Sequence, residues 1–478
     1  MKEEGRVVNV LLVAFAAQGH MNPMLELAKL LASKGFEITF ATTEVARERI
    51  LKSNITTTPT TLTSHPKHSI HFEFFSDGLP LDFDRRANFD HFFHHLHHDG
   101  SRNLSALIST LSTTQNRTFS CIINNPFVPW VANVAHEHKI PCAMLWIQPC
   151  TLFSIYYRFY RGLNQFSALE DPNTTVLLPG LPLLTIHDLP SFILPSNPST
   201  SIPKLLSELF ENMEKLTWVL GNSFYELEKD AVDSMKGIQP FIPVGPLVPS
   251  LVLGKEDDEK DSKFEMWKAE DSCIEWLDKQ PPSSVIYISF GSILVLSSKQ
   301  MENIALGLKE SKRPFLWVVR TPDFEDGEGK LSSEFLKETE GQGLVVQWCP
   351  QARVLAHDSV ACFVTHCGWN SVLESLCCGV PVVAFPQWTD QPTNAKLLAD
   401  LLEVGVRVRT GGDGVVSAEE VQRCIEEVSR GPRAAEMKKR AADWKEAARA
   451  AVADGGSSDR NLQAFVEDVV GRARKGEE

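Results

Sequence analysis

Basic charge is in short supply in this chain. Lysine and arginine total 47 against 61 aspartates and glutamates, a net charge of −14 in 478 residues. No basic stripe interrupts that balance, so a nucleic-acid partner is not expected, and the mild acidic excess favours solubility. Long apolar runs are missing too: no stretch reaches the length of a membrane span. The first apolar run, Val7 to Phe15, is short, follows charged residues and leads into a glycine turn. It reads as a first strand and not as a signal peptide. Without a secretory signal, the Asn-X-Ser/Thr triplets at Asn54, Asn103, Asn116 and Asn173 read as incidental. The ten cysteines form no CxxC pair, and several, such as Cys121, Cys142 and Cys362, lie in apolar strands. They read as buried thiols in a reducing cytosol, so a cytoplasmic location is expected. No internal repeat shows beyond two sheets. What remains is a chain long enough for two domains, with ordinary apolar content for two cores.

The best-ordered stretch runs from Trp348 to Gln391. Ala361 to His366 is a short apolar run of strand type, and Cys367-Gly368 makes a tight turn. Asn370 and Ser371 open a helix that Gly379 ends, and Val382 to Phe385 is a second strand. Strand, glycine turn, helix N-terminus and strand make half of a nucleotide-binding sheet. The free N–H groups and positive dipole end of that helix suit a diphosphate. Gly368 allows close backbone approach, and His366, Asn370 and Ser371 add donors.

In order and spacing this stretch resembles the C-terminal signature of plant family 1 glycosyltransferases, which use UDP-sugars. The resemblance implies that Trp348 stacks on uracil, that His366, Asn370 and Ser371 hold the diphosphate, and that Glu374 takes the ribose hydroxyls. Asp390 and Gln391 then take the sugar hydroxyls. The chemistry of the residues agrees: an aromatic face suits a base, a carboxylate a vicinal diol, and an Asp-Gln pair a hexose. Taken one at a time, Trp348 reads equally as core and Glu374 as a solvated helix residue. Gln351 and Trp369 belong to the same pattern and join the donor set. So do Gly19 and Ser292, which lie in glycine turns after the first strand of each domain.

The first half starts with the Val7–Phe15 strand and a loop through His20. Asn22 as a cap and Pro23 at the first helical position predict a helix from there to Gly35. Phe36 to Thr42 is the next strand, giving the β-loop-α-β start of an α/β sheet. A lone loop histidine is ordinarily structural or solvated; in the resembled family the residue at His20 is the catalytic base. His94 and His98 have i, i+4 metal spacing, but Phe89, Phe92, Phe93 and Leu96 read as one face of an amphipathic helix with the histidines on its wet face. Asp82-Phe83-Asp84 is a DxD tripeptide in an irregular stretch, and the resembled family needs no metal. Asn125 stands where that family usually has the Asp that orients the histidine. The acceptor side is aromatic-rich, and Phe15, Phe127 and Trp146 are expected to contact a flat ring.

The fold class is therefore α/β, two facing doubly wound Rossmann-like domains, the GT-B arrangement. Residues 1–249 form the acceptor-binding domain, 250–264 a charged linker, and 265–460 the UDP-sugar-binding domain. Residues 461–478 form a helix returning to the first domain. The expected activity is inverting transfer of glucose from UDP-glucose as co-substrate, with no metal or other cofactor, by a monomer. Glucose is favoured because Gln391 closes the signature, where galactose-preferring relatives tend to have His. The segments INNPFVPW and LWIQPC resemble the branch that makes glucose esters of hydroxycinnamate, gallate and limonoid acids. A phenolic O-glucoside, transfer to a ring carbon, a non-catalytic nucleotide-sugar binding protein, and a UDP-sugar hydrolase or epimerase are the alternatives.

Overall fold

A computed structural model of the chain describes residues 8–53, 61–65, 68–255, 272–292, 294–320, 329 and 331–475, with side chains described outside 53–69. Two parallel sheets organise it. The first is built from β1 (Asn9–Val13), β2 (Glu37–Thr43), β3 (Thr61–His65), β4 (His68–Phe75), β5 (Cys121–Asn124) and β6 (Cys142–Trp146). A two-stranded ribbon of β7 (Thr175–Val176) and β8 (Leu184–Thr185) stands apart, and β9 (Trp218–Gly221) and β10 (Ile242–Pro243) complete the sheet. Its order is β10-β9-β6-β5-β1-β2-β4-β3, antiparallel only at the β3–β4 edge. The second sheet holds β11 (Val285–Ser289), β12 (Phe315–Val318), β13 (Gly343–Val346), β14 (Val360–Thr365), β15 (Val382–Ala384) and β16 (Gly405–Arg407). Its order is β13-β12-β11-β14-β15-β16.

Strands buried on both faces need unbroken apolar runs, and alternate residues then serve opposite cores. Val10 and Leu12 enter one core of the first domain, Leu11 and Val13 the other. In the second domain Val285 and Tyr287 separate in the same way from Ile286 and Ile288. Helix starts follow local chemistry: the Ser297, Ser332 and Ser417 hydroxyls accept the N–H groups of Gln300, Phe335 and Glu420. Gly379 ends helix Trp369–Cys378 in the left-handed conformation, φ 71°.

The last helix, Ser457–Lys475, starts four residues ahead of the 461 boundary. Its Leu462, Phe465, Val466 and Val469 join the first-domain core of Val10 and Leu12. Trp218 Nε1 donates to Asp468 (3.0 Å) and Asn461 to the Pro243 carbonyl (2.8 Å), so the chain end ties back across the molecule. Most of the charged linker lies outside the described residues; its first part, Ser250–Leu253, is a 3-10 turn.

One local expectation is corrected, and two helices are added. The first helix begins at Gln18, which puts His20 in its first turn and Pro23 inside it. Pro23 stands past the first turn, so its missing N–H leaves the Gly19 carbonyl without its intrahelical donor, and Asn370 Nδ2 supplies one from the second domain at 2.8 Å. Helix Cys150–Tyr160 is not among the sequence expectations; Cys150 to Arg158 are all buried in it. Helix Gln391–Lys396 follows directly on the signature, with Gln391 as its first residue.

Candidate active site

Each sheet reverses its strand order once, between β1 and β5 and between β11 and β14. The crevice beyond the carboxyl ends of such strands is where open α/β sheets bind ligands. At the first reversal, His20 Nδ1 lies 2.8 Å from Asn125 Oδ1. The same oxygen accepts the Phe127 N–H at 3.1 Å. A backbone N–H only donates, so that oxygen is an acceptor, His20 carries its proton on Nδ1, and Nε2 keeps its lone pair. Burial pulls the His20 pKa down to about 4, against which the Asn125 hydrogen bond works without contributing charge.

Aromatic rings surround the pair. Phe127 stands edge-on to His20 at 4.4 Å and Phe15 at 5.1 Å. Phe92 and Phe93, from helix Phe89–Thr114, pack on Phe15 at 6.1 and 5.8 Å. The sequence assigned those two to a helix face but not to the site; the fold brings that face to the end of β1. Trp146 is a correction. It is fully buried, packs on Phe153, Tyr156 and Phe210, and gives its Nε1–H to the Pro149 carbonyl at 3.0 Å. As a central-strand residue covered by helix Cys150–Tyr160, it belongs to the core and not to the acceptor wall. A cavity of about 510 Å³ opens further out, among Phe159, Tyr160, Phe166, Phe192 and Ile193.

At the second reversal, Gly291 (φ 76°) follows β11 and the His366-Cys367-Gly368 turn follows β14. A Cβ on Gly291 would sit 2.8 Å from the His366 ring, so only glycine leaves that ring its place. Burial lowers the His366 pKa to about 4, so the ring is neutral. No side chain caps helix Trp369–Cys378, which leaves its first-turn N–H groups open to an anion. Gln351 donates to Ser371 Oγ (2.9 Å) and Glu374 Oε2 (2.6 Å) and accepts the Tyr287 hydroxyl (3.0 Å). It therefore fixes the Glu374 carboxylate, a positioning role the sequence pattern did not separate from direct contact. Trp348, just before this network in the chain, is half-buried, and Ser292 is half-buried after Gly291.

Trp369 is a second correction. Its side chain is buried and its Nε1–H donates to the Asn222 carbonyl of the first domain at 2.7 Å, so it pegs the two domains together. Only its backbone N–H, at the helix start, remains for a donor. Asn370 makes the neighbouring bridge, donating to the Gly19 carbonyl at 2.8 Å. Pro23 has no N–H to offer that carbonyl, which in a regular helix would be its acceptor four residues back. The bridge sets the first-turn helix of His20 against the second-domain turn.

The loop before helix Gln391–Lys396 is tightly bonded. Asp390 accepts from Thr389 Oγ1 (2.6 Å) and Asn394 Nδ2 (2.7 Å), and burial raises its pKa against these bonds. Gln391 Oε1 accepts the N–H groups of Gln387 (2.9 Å) and Trp388 (3.2 Å).

Comparison with known proteins agrees with this geometry. The family model UDP-glucoronosyl and UDP-glucosyl transferase matches residues 268–438, and a glycosyltransferase N-terminal domain matches 6–178. UDP-glycosyltransferase 84B2 of Arabidopsis thaliana is 47% identical over 96% of the chain and 99% of its own length. The chain belongs to the UDP-glycosyltransferase family. Gallate 1-beta-glucosyltransferase of Quercus robur is 44% identical over 98% of this chain and 91% of its own. The crystal structure of Os79 from O. sativa in complex with UDP superposes with a TM-score of 0.83 at 32% identity, covering 96% of this chain and all of Os79. The two facing sheets are thus the GT-B fold, and a UDP-sugar is the co-substrate of this glycosyltransferase.

Other sequence features of this UDP-glycosyltransferase have local partners. Asp84 accepts the N–H groups of Arg86 (2.9 Å) and Ala87 (3.0 Å) in a local turn. The His94 and His98 rings stack at 6.4 Å on a helix face where both are exposed, and His95 pairs with Asp99 at 2.6 Å. Among the described residues, no group of three or more His, Cys, Asp or Glu is placed to hold a metal, and no helix is long and apolar enough to cross a membrane.

Proposed function

We propose that this glycosyltransferase transfers glucose from UDP-glucose to the carboxylate of a small aromatic acid, giving a 1-O-β-glucose ester. The observation that carries this is the His20–Asn125 pair: a histidine with its pKa near 4, oriented by an amide that brings no negative charge. A carboxylate oriented beside the histidine stabilises the imidazolium formed when a base takes a proton; an amide holds the ring but brings no such charge. A carboxylic acid, with a reference pKa of about 4, has already lost its proton at neutral pH. An anionic acceptor also meets no like charge at Asn125. The gallate relative named above acts, by its name, on an aromatic acid.

The acceptor carboxylate oxygen attacks the anomeric carbon from the His20 side. The bond from that carbon to the β-phosphate oxygen breaks on the opposite face, and its electron pair leaves with UDP, so configuration inverts. His20 Nε2 takes the proton when the acceptor is a phenol; to a carboxylate it offers no hydrogen bond, because both are acceptors. The growing phosphate charge meets the first-turn N–H groups of helix Trp369–Cys378, with Ser371, Asn370 and His366 beside them. Trp348 takes the uracil face, Glu374 the ribose diol, and Asp390 with Gln391 the glucose hydroxyls. Phe15, Phe92, Phe93 and Phe127 hold the acceptor ring. Residues 1–249 serve the acceptor and 265–460 the donor, with helix Ser457–Lys475 closing back on the first half. Ten free cysteines, nearly all buried, fit a reducing cytoplasm, and the protein acts as a monomer.

The test is product chemistry. Benzoic, cinnamic and gallic acids and a set of flavonoids are offered with UDP-glucose, with and without EDTA. Products are identified by mass and by lability to mild alkali. Alkali-labile esters that form equally well in EDTA are expected. Turnover of flavonoids alone, to alkali-stable glucosides, overturns the acid reading, and an acid-stable product identifies C-transfer. Activity lost in EDTA and restored by magnesium or manganese brings Asp82 and Asp84 back.

A further inference from the structure

The segment 184–193 belongs to the first half of the chain, yet it is bonded chiefly to the second. Asp188, buried, accepts from Arg407 Nη1 at 2.7 Å. Its own carbonyl takes the Thr393 hydroxyl at 2.7 Å, and the His187 carbonyl takes Arg407 Nη2 at 2.7 Å. Thr185 steadies the Asp188 carboxylate through both its N–H (2.9 Å) and its hydroxyl (2.8 Å). Three residues on, Ser191 grips Thr389 from two sides. The Thr389 N–H donates to Ser191 Oγ at 2.8 Å, and the Ser191 N–H donates to the Thr389 carbonyl at 2.9 Å.

Thr389 is where such a grip matters. Its φ is 61°, in the left-handed region that a β-branched side chain rarely occupies. A residue stays there only when its surroundings over-determine it. Three bonds do so: the two from Ser191 and that of its own hydroxyl to Asp390. The Asp390 carboxylate is the next group along, so the shape of this one peptide aims it.

We propose that Ser191 is a positioning residue for the donor sugar. The acceptor half reaches across the cleft and clips the Thr389–Gln391 loop into the conformation that presents Asp390 to the hexose. Sugar reading is then completed by both domains, while the UDP portion is held chiefly by the second domain. This rests on the reading of Asp390 and Gln391 as sugar-binding residues given above.

The experiment compares Ser191→Ala, Ser191→Thr and Asp390→Ala in the full-length enzyme. Three quantities are read: KM for UDP-glucose, the dissociation constant of UDP by titration calorimetry, and the preference for UDP-glucose over UDP-galactose in kcat/KM. Ser191→Ala is expected to raise the UDP-glucose KM about three- to ten-fold, the change one net hydrogen bond implies. The glucose preference falls by a similar factor and UDP affinity holds. Ser191→Thr, which keeps the hydroxyl, restores both. Should Ser191→Ala not fold, Ser191→Cys keeps the size with a weaker acceptor and shifts the same quantities in the same direction. An unchanged KM and preference in Ser191→Ala, beside a raised KM in Asp390→Ala, overturns the clip. So does an equal loss of UDP and UDP-glucose affinity, which marks general domain support. If Asp390→Ala itself moves neither KM nor preference, the sugar reading of Asp390 is what fails.

Discussion

The two reversal points share a backbone plan and differ in their side chains. At β1 and β5, one neutral polar pair, His20 with Asn125, sits among four phenylalanines drawn from three separate parts of the chain. At β11 and β14, a glycine turn, an uncapped helix start and the Gln351–Ser371–Glu374 network come largely from one continuous stretch. A diphosphate and a ribose are recognised by directional donors and acceptors, which a turn followed by a helix supplies within about ten residues. A flat acceptor is recognised by apolar surface, which any nearby element supplies. The donor half is therefore fixed in chemistry and compact in sequence, and the acceptor half is open in both respects.

The strongest way to break that contrast is to remove the base. His20→Ala is expected to cut kcat/KM on a phenol by ~10²–10⁴-fold, the usual range for general base catalysis. On a carboxylic acid the loss should be far smaller, because no proton has to be taken. Parallel kinetics on both acceptors measure this, and equal losses on the two would assign His20 to positioning alone.

The donor half is probed by Glu374→Ala. A hydrogen bond to a charged group contributes roughly 1.5–3 kcal/mol, so the UDP-glucose KM should rise about ten-fold or more. The acceptor KM should stay where it was. Donor saturation curves settle this, and an unmoved donor KM would remove Glu374 from the ribose.

The smallest effect sharpens the comparison most. With the His20 pKa near 4, kcat/KM should stay flat as pH falls from 8 to 5, with no acid limb from this histidine until about pH 4. Asn125→Asp adds a negative charge beside Nδ1, raises that pKa and should move the acid limb upward while speeding phenol turnover. A rate profile for both variants tests it, and an unmoved limb excludes Asn125 from the mechanism. Stability has its own sign. His20 binds a proton more readily in the unfolded chain, so its contribution is full above about pH 6.5 and is lost as pH falls toward 4. Thermal melts across that window should show Tm falling with pH.

The sequence by itself determined the strand-and-helix alternation, the two sheets and the family signature from Trp348 to Gln391, and it singled out His20 and Asn125, which the fold brings into hydrogen-bond contact. These are local: apolar runs, glycine turns and polar residues at short spacing act through neighbours in the chain. Only the tertiary structure decided which aromatic residues meet. Trp146 went to the core beneath helix Cys150–Tyr160, because a strand covered by a helix buries its side chains whatever their chemistry, while Phe92 and Phe93 came to pack on Phe15 beside His20. Trp369 became an interdomain peg and Gln351 a holder of Glu374. The Ser191 grip on Thr389 joins residues nearly two hundred positions apart. No periodicity or motif encodes such a contact; it exists because two independently folded sheets pack face to face and the loops at their ends must satisfy one another's hydrogen bonds.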